Sequence, residues 1–193
     1  MHFLSGKPGA GKEKNVIIDR RILFGIVFGI ALAADLVSKW AAFHFLRLHE
    51  RVSVISGIFD FEPVWNPGII FGIRAPIFVT IIVSIIATTV VIWYLRSNNG
   101  RAPVVQLYLG LILSGVIGNL VDRILYGAVR DFLLLYIRKN HWPNFNLADA
   151  FILVGVVLAM LQFILTEDKK EVKDGAEPGV ETSEEAVEKV SDI

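Results

Sequence analysis

Four stretches of this chain are apolar enough and long enough to cross a lipid bilayer, and they constrain its fold more than any other feature. They cover about residues 22–46, 77–95, 103–124 and 147–165. Roughly 20 consecutive apolar residues span the hydrocarbon core as a helix. Hydrophobic residues make up 54% of the 193 positions and charged residues only 20%, which is rare in a soluble domain of this size. We therefore expect an α-helical integral membrane protein with four transmembrane helices.

The segment between the first two apolar stretches, residues 47–76, has a different pattern. Apolar and polar residues alternate through RVSVISGIFDFEPVW, with β-branched and aromatic side chains that are typical of short strands. Asn66, Pro67 and Gly68 form a turn signal, because proline presets φ and glycine permits positive φ. Isolated strands cannot lie bare in lipid. The pattern predicts a small sheet that rests on the membrane surface.

The two ends of the chain differ from the apolar part in composition. Residues 1–21 are rich in Lys and Arg, and we expect a flexible basic arm there. Residues 166–193 hold ten acids, four lysines and no aromatic residue, a composition that predicts a disordered tail. Residues 22–165 then form the single folded unit. The basic residues form no sustained stripe, so no nucleic-acid partner is expected.

Two interpretations of the N-terminal region are not favoured. The glycines of residues 6–12 are spaced as in a phosphate-binding loop, but Glu13 stands where Ser or Thr is required, and no apolar strand precedes them. A cleaved signal peptide does not fit either, because the apolar run after Arg21 is too long and no small-residue cleavage site follows it.

The distribution of basic residues sets the expected orientation. Four spans put both termini on the same side of the membrane. That side, which also holds the loop at 96–101, carries more Lys and Arg than the side with the other two loops. The positive-inside rule therefore predicts that both termini are cytoplasmic.

The third span carries a stripe of small residues. Gly110, Ser114 and Gly118 recur every four residues and share one helix face. Small residues let helix backbones approach closely in a membrane, so the stripe predicts helix packing.

Polar residues interrupt the chain between the third and fourth spans. The set comprises Asn119, Asp122, Arg123, Asp131, Asn146 and Asp149. Ionisable groups are costly in hydrocarbon and by default indicate a functional site. Asp131 follows the third span and Asp149 lies in the first turn of the fourth. The chain leaves and returns at the same membrane face, here the outer one, so the two carboxylates can meet.

Such a pair of carboxylates has a defined chemistry. Two carboxylates in contact do not both ionise easily and share one proton. The pair can activate water for attack on a peptide carbonyl without a metal, a cofactor or a covalent intermediate. Asn146 is a candidate N-cap of the fourth span, whose dipole favours the ionised form of Asp149. The hypothesis is that Asp149 acts as the base and Asp131 carries the proton.

Other interpretations of these acids remain open from the sequence. Asn146 and Asp149 also fit ordinary helix capping. Asp131 beside Arg123 or Arg130 also fits a surface ion pair. A metal site is a further option, although a hard cation prefers more oxygen ligands than these acids supply.

A second polar feature lies in the first span. Asp35 and Lys39 are four residues apart and therefore stacked on one helical face. They form either a self-neutralising pair or part of a polar pocket shared with the residues between the third and fourth spans. A non-enzymatic transporter or channel subunit would need such polar groups along the whole bilayer, whereas the second span is entirely uncharged.

The order and types of these residues resemble the lipoprotein signal peptidases, the signal peptidase II family. The matching motifs are GN-x-x-DR-x-x-x-G-x-V-x-DF at 118–132, FN-x-AD at 145–149, N-x-G-x-x-FG at 66–72 and D-x-x-x-K at 35–39. The resemblance covers residues 22–165. One departure is Arg130, where many members have an apolar residue.

The resemblance implies an intramembrane aspartic endopeptidase. Members remove the signal peptide from prolipoproteins on the N-terminal side of a diacylglyceryl-modified cysteine. Asp131 and Asp149 match the family's catalytic pair. The other matching polar positions are expected to bind substrate: Asp35, Lys39, Asn66, Gly68, Asn119, Asp122, Arg123 and Asn146.

The same resemblance implies a location, partners and further details of the fold. We expect a multi-pass protein of the bacterial cytoplasmic (inner) membrane, a monomer in contact with membrane lipid, with its active site near the outer face. Cyclic peptide inhibitors such as globomycin are expected to bind it, and no metal or cofactor is required. The implied fold adds an extracytoplasmic β-cradle and a short surface helix between spans three and four, over LLLYIRKNHW.

Overall fold

The computed structural model describes residues 20–68, 76–97, 102–137 and 140–174. These residues form four long helices and a four-stranded antiparallel sheet. In chain order the elements are α1 Arg20–Phe45, β1 Val52–Ile55, β2 Phe59–Asn66, α2 Ile77–Arg96, α3 Pro103–Tyr126, β3 Val129–Ile137, β4 Asn140–His141 and α4 Leu147–Asp174.

Each of the four helices contains a segment long and apolar enough to cross a membrane. These segments are Arg21–Phe45, Ile77–Arg96, Pro103–Tyr126 and Leu147–Thr166. Large apolar side chains cover their outer faces and are exposed, among them Trp93 at 68% and Phe163 at 63%. Contact between so large an apolar surface and water would be unfavourable, whereas contact with lipid is not. The chain is a multi-pass membrane protein, and the prediction of four transmembrane helices with a small sheet is confirmed.

The third helix, α3, is the centre of the bundle and contacts α1, α2 and α4. Two members of the small-residue stripe, Gly110 and Gly118, face α1. A Cβ atom at Gly110 would lie 3.0 Å from Cγ1 of Val27, and a Cβ atom at Gly118 would collide with the carboxylate of Asp35. Because only glycine leaves this space, α1 and α3 pack closely along the stripe, as the sequence predicts.

The interior of the bundle is apolar at the end away from the sheet. A buried cluster there joins α2 to α3, and its members are Val91, Val105, Tyr108, Leu109 and Leu113. Residues of α1 and α4 pack against the same cluster, among them Phe24 and Leu158. The polar side chains described below therefore gather at the opposite end.

The strands form one sheet in the order β1-β2-β3-β4. The β1–β2 hairpin lies within the predicted cradle, and β2 also pairs with β3, so that Phe61 lies opposite Leu133 and Val64 opposite Asp131. The register shifts between Phe61 and Val64, where Pro63 interrupts the ladder. Proline has no N–H to donate, so a bulge is one of the few sites that a sheet offers it.

An apolar cluster attaches the sheet to the ends of the helices. It combines residues of α1, both central strands and the start of α4: Ala42, Phe43, Phe59, Phe61, Phe132, Leu133, Phe145 and Leu147. The C-terminal ends of α1 and α3 and the N-terminal ends of α2 and α4 all lead into or out of the strands. The sheet therefore covers one end of the bundle.

The predicted surface helix between α3 and α4 is wrong for the residues described. The segment forms β3, Val129–Ile137, and the short β4, Asn140–His141. A short apolar run such as FLLLYI does not distinguish a strand from a buried helix by its periodicity. The free edge of β2 decides the outcome, because pairing with β3 satisfies backbone groups that would otherwise lie at an open edge.

The fourth helix continues beyond its predicted end at residue 165 to Asp174. Lys and Glu are good helix formers, so the charged residues at 166–174 extend the helix past the apolar segment. Part of the predicted disordered tail is thus helical. Residues 1–19, with the glycines of residues 6–12, and residues 175–193 lie outside the described residues. So do Phe71 and Gly72 of the N-x-G-x-x-FG motif.

The contact between α3 and α4 yields a prediction for stability. A Cβ atom at Gly115 would collide with the carbonyl oxygen of Ala148, whereas Gly25 of α1 has nothing within 4 Å of its Cβ position. We expect Gly115→Ala to lower the free energy of unfolding by about 1–3 kcal/mol through overpacking. The measurement is thermal or denaturant unfolding in detergent micelles.

The matched control is Gly25→Ala, which makes the same change in a helix with open space. It is expected to leave stability unchanged or to raise it by about 0.4–1 kcal/mol, because alanine has less conformational freedom in the unfolded chain. Equal effects of the two substitutions would show that the close approach at Gly115 is not needed.

Candidate active site

The ten polar and glycine positions predicted from the sequence lie in one hydrogen-bonded network where the sheet meets the helices. They come from α1, the end of β2, α3, β3 and the start of α4. The members are Asp35, Lys39, Asn66, Gly68, Asn119, Asp122, Arg123, Asp131, Asn146 and Asp149. The structure thus brings together all the residues that the sequence selected, from five separate parts of the chain.

Asp131 lies in β3 and is almost completely buried, with 1% of its surface exposed. Its two oxygens accept hydrogen bonds from two side-chain amides: Oδ1 from Nδ2 of Asn146 at 2.7 Å, and Oδ2 from Nδ2 of Asn66 at 2.8 Å. Burial, and after it the negative charge of Asp149, together raise the pKa of Asp131 to about 7. The charge of Asp149 therefore acts on Asp131. Because Asp131 is buried and bonded to amides, it is not part of a surface ion pair.

Asp149 lies in the first turn of α4 and is partly exposed. Its backbone N–H donates to Oδ1 of Asn146 at 3.1 Å, and its Oδ2 accepts from the backbone N–H of Asn146 at 3.2 Å. This reciprocal arrangement is a capping box, so the predicted N-cap role of Asn146 is confirmed. The remaining oxygen, Oδ1, accepts from Nδ2 of Asn119 at 2.8 Å. Capping and contact with the network therefore coexist at Asp149.

Two asparagines connect the two carboxylates. Nδ2 of Asn146 donates both to Asp131 and to Oδ1 of Asn119 at 3.1 Å. Nδ2 of Asn119 in turn donates to Asp149. A continuous path of amide hydrogen bonds thus runs from one carboxylate to the other and fixes which way each amide points.

Lys39 is the cation at the centre of the buried network, and none of its surface is exposed. Its Nζ lies 2.8 Å from Oδ2 of Asp35, 2.9 Å from Oδ1 of Asn119 and 3.4 Å from Oδ2 of Asp122. Asp35 also accepts a hydrogen bond from the backbone N–H of Ala148 at the start of α4. The pair in the first span therefore neutralises itself and also joins the polar residues of α3 and α4.

Arg123 connects α3 to the chain that follows β2. Its Nη2 donates to the carbonyl oxygen of Gly68 at 3.2 Å, and its Nη1 to the carbonyl oxygen of Asn119 at 3.3 Å. The N–H of Gly68 donates to Oδ1 of Asn66 at 2.9 Å, which is the side-chain turn expected of this motif. Asn66 is held in place by this turn as it donates to Asp131.

Arg130 has a different partner from the one considered in the sequence. Nε and Nη2 donate to Oδ1 of Asp122 at 3.1 and 2.7 Å, and the backbone N–H donates to Oδ2 at 3.0 Å. Neighbouring residues of a strand point to opposite faces, so Arg130 does not pair with Asp131. The strand that contains Arg130 was not predicted from the sequence, so the alternation that separates Arg130 from Asp131 could not be applied there.

A hollow of about 230 Å³ opens beside Asp131. It is lined by Val64, Trp65, Asn66, Pro67, Asp131, Pro143 and Asn144. Within the described ranges, no three side chains of His, Cys, Asp or Glu are grouped so as to hold a metal ion. The chemistry that the arrangement offers is that of two carboxylates connected through asparagine amides, one of which, Asp131, borders an accessible space.

Comparison with known proteins identifies the family. The model of the signal peptidase (SPase) II family matches residues 27–165. The chain belongs to this family. Family membership implies a protease, and the matched region includes the four membrane-spanning segments from residue 27 onward and the network described above.

The match covers nearly the whole length of two curated relatives. The lipoprotein signal peptidase of Symbiobacterium thermophilum is 38% identical over 141 residues, which cover 72% of this chain and 93% of the relative. That of Syntrophus aciditrophicus is 40% identical over 156 residues, covering 77% and 96%. These identities extend through the folded part of the chain.

A solved structure supports the same fold. It is described as a bacterial membrane enzyme determined by the in meso method at 2.3 Å resolution. It superposes with a TM-score of 0.71 at 22% identity and covers 82% of this chain and 94% of its own. At this identity the likeness concerns the fold and carries no residue roles.

The position of Lys39 predicts that replacing this residue lowers the stability of the protein strongly. Lys39→Met leaves two buried carboxylates, Asp35 and Asp122, without a shared cation. Breaking a buried ion pair typically costs about 3–5 kcal/mol, and we expect a loss of this size in unfolding experiments in micelles.

The double substitution Asp35→Asn with Lys39→Met is the control. It removes one charge of each sign and is expected to recover only part of the loss, because Asp122 and Asn119 still lack their contacts with Lys39. Full recovery of parental stability would mean that Asp35 and Lys39 merely neutralise each other.

Proposed function

We propose that the protein is an intramembrane aspartic endopeptidase that removes signal peptides from prolipoproteins, on the N-terminal side of a diacylglyceryl-modified cysteine. The observation that carries the proposal is that one residue, Asn146, bonds to both carboxylates. A side-chain amide to Asp131 and a backbone N–H to Asp149 hold the two acids on either side of one residue. The relatives named lipoprotein signal peptidase support the substrate class.

The proposed reaction uses the two carboxyl groups as acid and base. Asp149 takes a proton from water while the water oxygen bonds to the scissile carbonyl carbon, and Asp131 gives its proton to the carbonyl oxygen. When the tetrahedral intermediate collapses, the C–N bond breaks and the leaving amine takes the proton from Asp149. Asp131 recovers its proton from the hydroxyl of the intermediate, so the pair returns to its starting state.

The environments of the two acids suit these roles. The pKa of about 7 for Asp131, which burial and the charge of Asp149 cause, allows this carboxyl to carry a proton near neutral pH. Asp149 is partly exposed at the N-terminus of α4, where the helix dipole stabilises negative charge. Two carboxyls in different environments are the usual way in which a site obtains one acid and one base at the same pH.

The substrate-facing part of the site is proposed to lie around the hollow beside Asp131. Asn66 borders this space, its Oδ1 accepts from the N–H of Gly68, and Arg123 donates to the carbonyl oxygen of Gly68. Their polar groups would pair with an extended peptide backbone, which lipid cannot do. Asp35, Lys39 and Asp122 have no exposed surface, so we assign them to supporting the pair instead of contacting substrate.

The location follows from the same proposal. A lipidated precursor is confined to the bilayer, so its cleavable bond reaches a site at the membrane edge by lateral diffusion. We propose that both termini are cytoplasmic and that the sheet and the pair lie at the outer face of the bacterial cytoplasmic membrane. One chain supplies every polar group of the site, which supports a monomer. Cyclic peptides of the globomycin type are expected to compete for the same space.

A direct test is mass spectrometry of a lipidated precursor incubated with the purified protein. The expected product is a peptide that ends just before the modified cysteine. A precursor without the diacylglyceryl group is the substrate control and is expected to remain uncut. Cleavage at another bond, or equal cleavage of both precursors, would contradict the proposed specificity.

Substitution of either acid tests the assignment of the pair. Asp131→Asn and Asp149→Asn keep the shape of the side chain and one of its two accepted hydrogen bonds, but they remove the carboxyl that transfers the proton. We expect kcat to fall by about 10³-fold or more, with insertion and abundance unchanged on immunoblots. The comparison variant is Asp60→Asn, a buried carboxyl of β2 that bonds to Tyr136 outside the network. Near-parental cleavage by either member of the pair would refute its catalytic role.

The proposed orientation predicts the behaviour of reporter fusions. Alkaline phosphatase placed in the β1–β2 turn at residues 56–58 is expected to be active, because this enzyme folds only outside the cytoplasm. A fluorescent protein joined to the C-terminus is expected to fluoresce. The reverse pattern would place the sheet on the inner face.

A further inference from the structure

Arg130 is the arginine that the network holds most tightly, although it lies on the strand face opposite Asp131. Its residue is 8% exposed, and three of its N–H groups donate to the two oxygens of Asp122. The guanidinium carbon also lies 4.9 Å from the centre of the Tyr126 ring, a cation–π contact. A bidentate pair of this kind fixes position as well as charge.

These contacts fasten β3 to α3 at the residue next to Asp131. Asp122 is fully buried in α3, and it binds both the side chain and the backbone of Arg130. Because Asp131 follows directly in the chain, its backbone cannot shift without loosening this contact. The position of Asp131 relative to the helices therefore depends on Arg130.

The charges of the network nearly balance among the described residues. The carboxyl groups are those of Asp35, Asp122, Asp131 and Asp149, and the cations are Lys39, Arg123 and Arg130. Neutrality therefore leaves one proton for the four carboxyls. Asp35 and Asp122 each hold a direct ion pair, so the proton falls to Asp131 and Asp149.

We propose that Arg130 is a positioning residue for the carboxyl pair of Asp131 and Asp149. It fixes β3 against α3, and it supplies the third cation, which leaves the pair with one proton instead of two. This inference rests on the proposed function, because it assigns to the pair the singly protonated state that the hydrolysis requires.

The groups that face these residues come from every packed element. Asp131 is faced by Asn66 of β2, Asn146 and Asp149 at the start of α4, Lys39 of α1 and, through its charge, Arg123 of α3. Arg130 is faced by Asp122 and Tyr126 of α3 and lies opposite Trp65 of β2. Asp122 binds both Arg130 and Lys39, so it connects Arg130 to the rest of the network.

Loss of the cation at residue 130 has a definite sign. With two cations instead of three, the pair binds a second proton more readily, because less positive charge opposes protonation. The pKa of Asp131 therefore rises, and both limbs of the bell-shaped pH profile of kcat/KM move to higher pH. A unit charge at this range in a protein site corresponds to a shift of about one pH unit.

The experiment compares Arg130→Gln with Arg130→Lys by pH profiles on a lipidated precursor. Gln keeps a donor toward Asp122 but has no charge, and we expect both limbs to move up by about one pH unit. Lys keeps the charge but not the bidentate geometry, and we expect a lower kcat with the midpoints unchanged. A purely structural role would lower kcat in both variants without separating their midpoints, and that result would overturn the proposal.

Two further variants complete the design. Arg51→Gln removes an arginine of β1 that pairs with Glu62 away from the network, and its profile is expected to match the parent. The paired variant Asp122→Asn with Arg130→Gln removes one charge of each sign, so it is expected to return the midpoints to the parental values. If Arg130→Gln alone does not fold, the paired variant decides, and shifted midpoints there would refute the inference.

Failure of this inference is distinguishable from failure of the proposed function. If Asp131→Asn still cleaves the precursor, the assignment of the pair is wrong whatever Arg130 does. If Asp131→Asn is inactive while Arg130→Gln keeps the parental midpoints, the pair stands and only the role of Arg130 falls.

Discussion

The ion pairs of Lys39 are the interaction on which the rest of the structure depends. Charged groups at the edge of a bilayer are costly unless they are paired and hydrogen-bonded. One ammonium group contacts Asp35 of its own helix and Asp122 and Asn119 of α3, and Asp35 in turn binds the backbone of α4. Three helices therefore meet at this charge. The glycine at 118 leaves the space that Asp35 occupies, so close helix packing and charge pairing are one arrangement.

Neutral amides, and not cations, make the direct hydrogen bonds to Asp131. A guanidinium or ammonium in direct contact would favour the ionised carboxylate strongly and hold its pKa low. Asn66 and Asn146 supply hydrogen bonds without a charge, so burial and the nearby Asp149 outweigh them and the pKa of Asp131 rises to about 7. The cations Lys39 and Arg130 form their ion pairs with Asp35 and Asp122 instead. This separation lets the site be both well ordered and able to keep a proton.

Much of this arrangement follows from the sequence because it depends on local spacing. Asp35 and Lys39 are one helical turn apart, and Asn146 and Asp149 have the spacing of a capping box. The β1–β2 hairpin follows from residue alternation and turn chemistry. The partners of Arg130 and the strand β3 do not follow in this way. Strand pairing is decided by the free edge of β2, a tertiary contact that periodicity in one segment does not encode.

The two carboxylates belong to two different rigid parts, and this determines how the site is assembled. Asp149 is fixed to α4 by its own cap, whereas Asp131 is carried by β3. The strand folds back on the chain before α4, because Leu133 and Phe145 exchange backbone hydrogen bonds of 2.9 and 3.1 Å. This bridge brings Asn146 to Asp131. The separation of the two acids therefore depends on how the sheet sits on the helices, and a change at that junction would alter the chemistry without touching either acid.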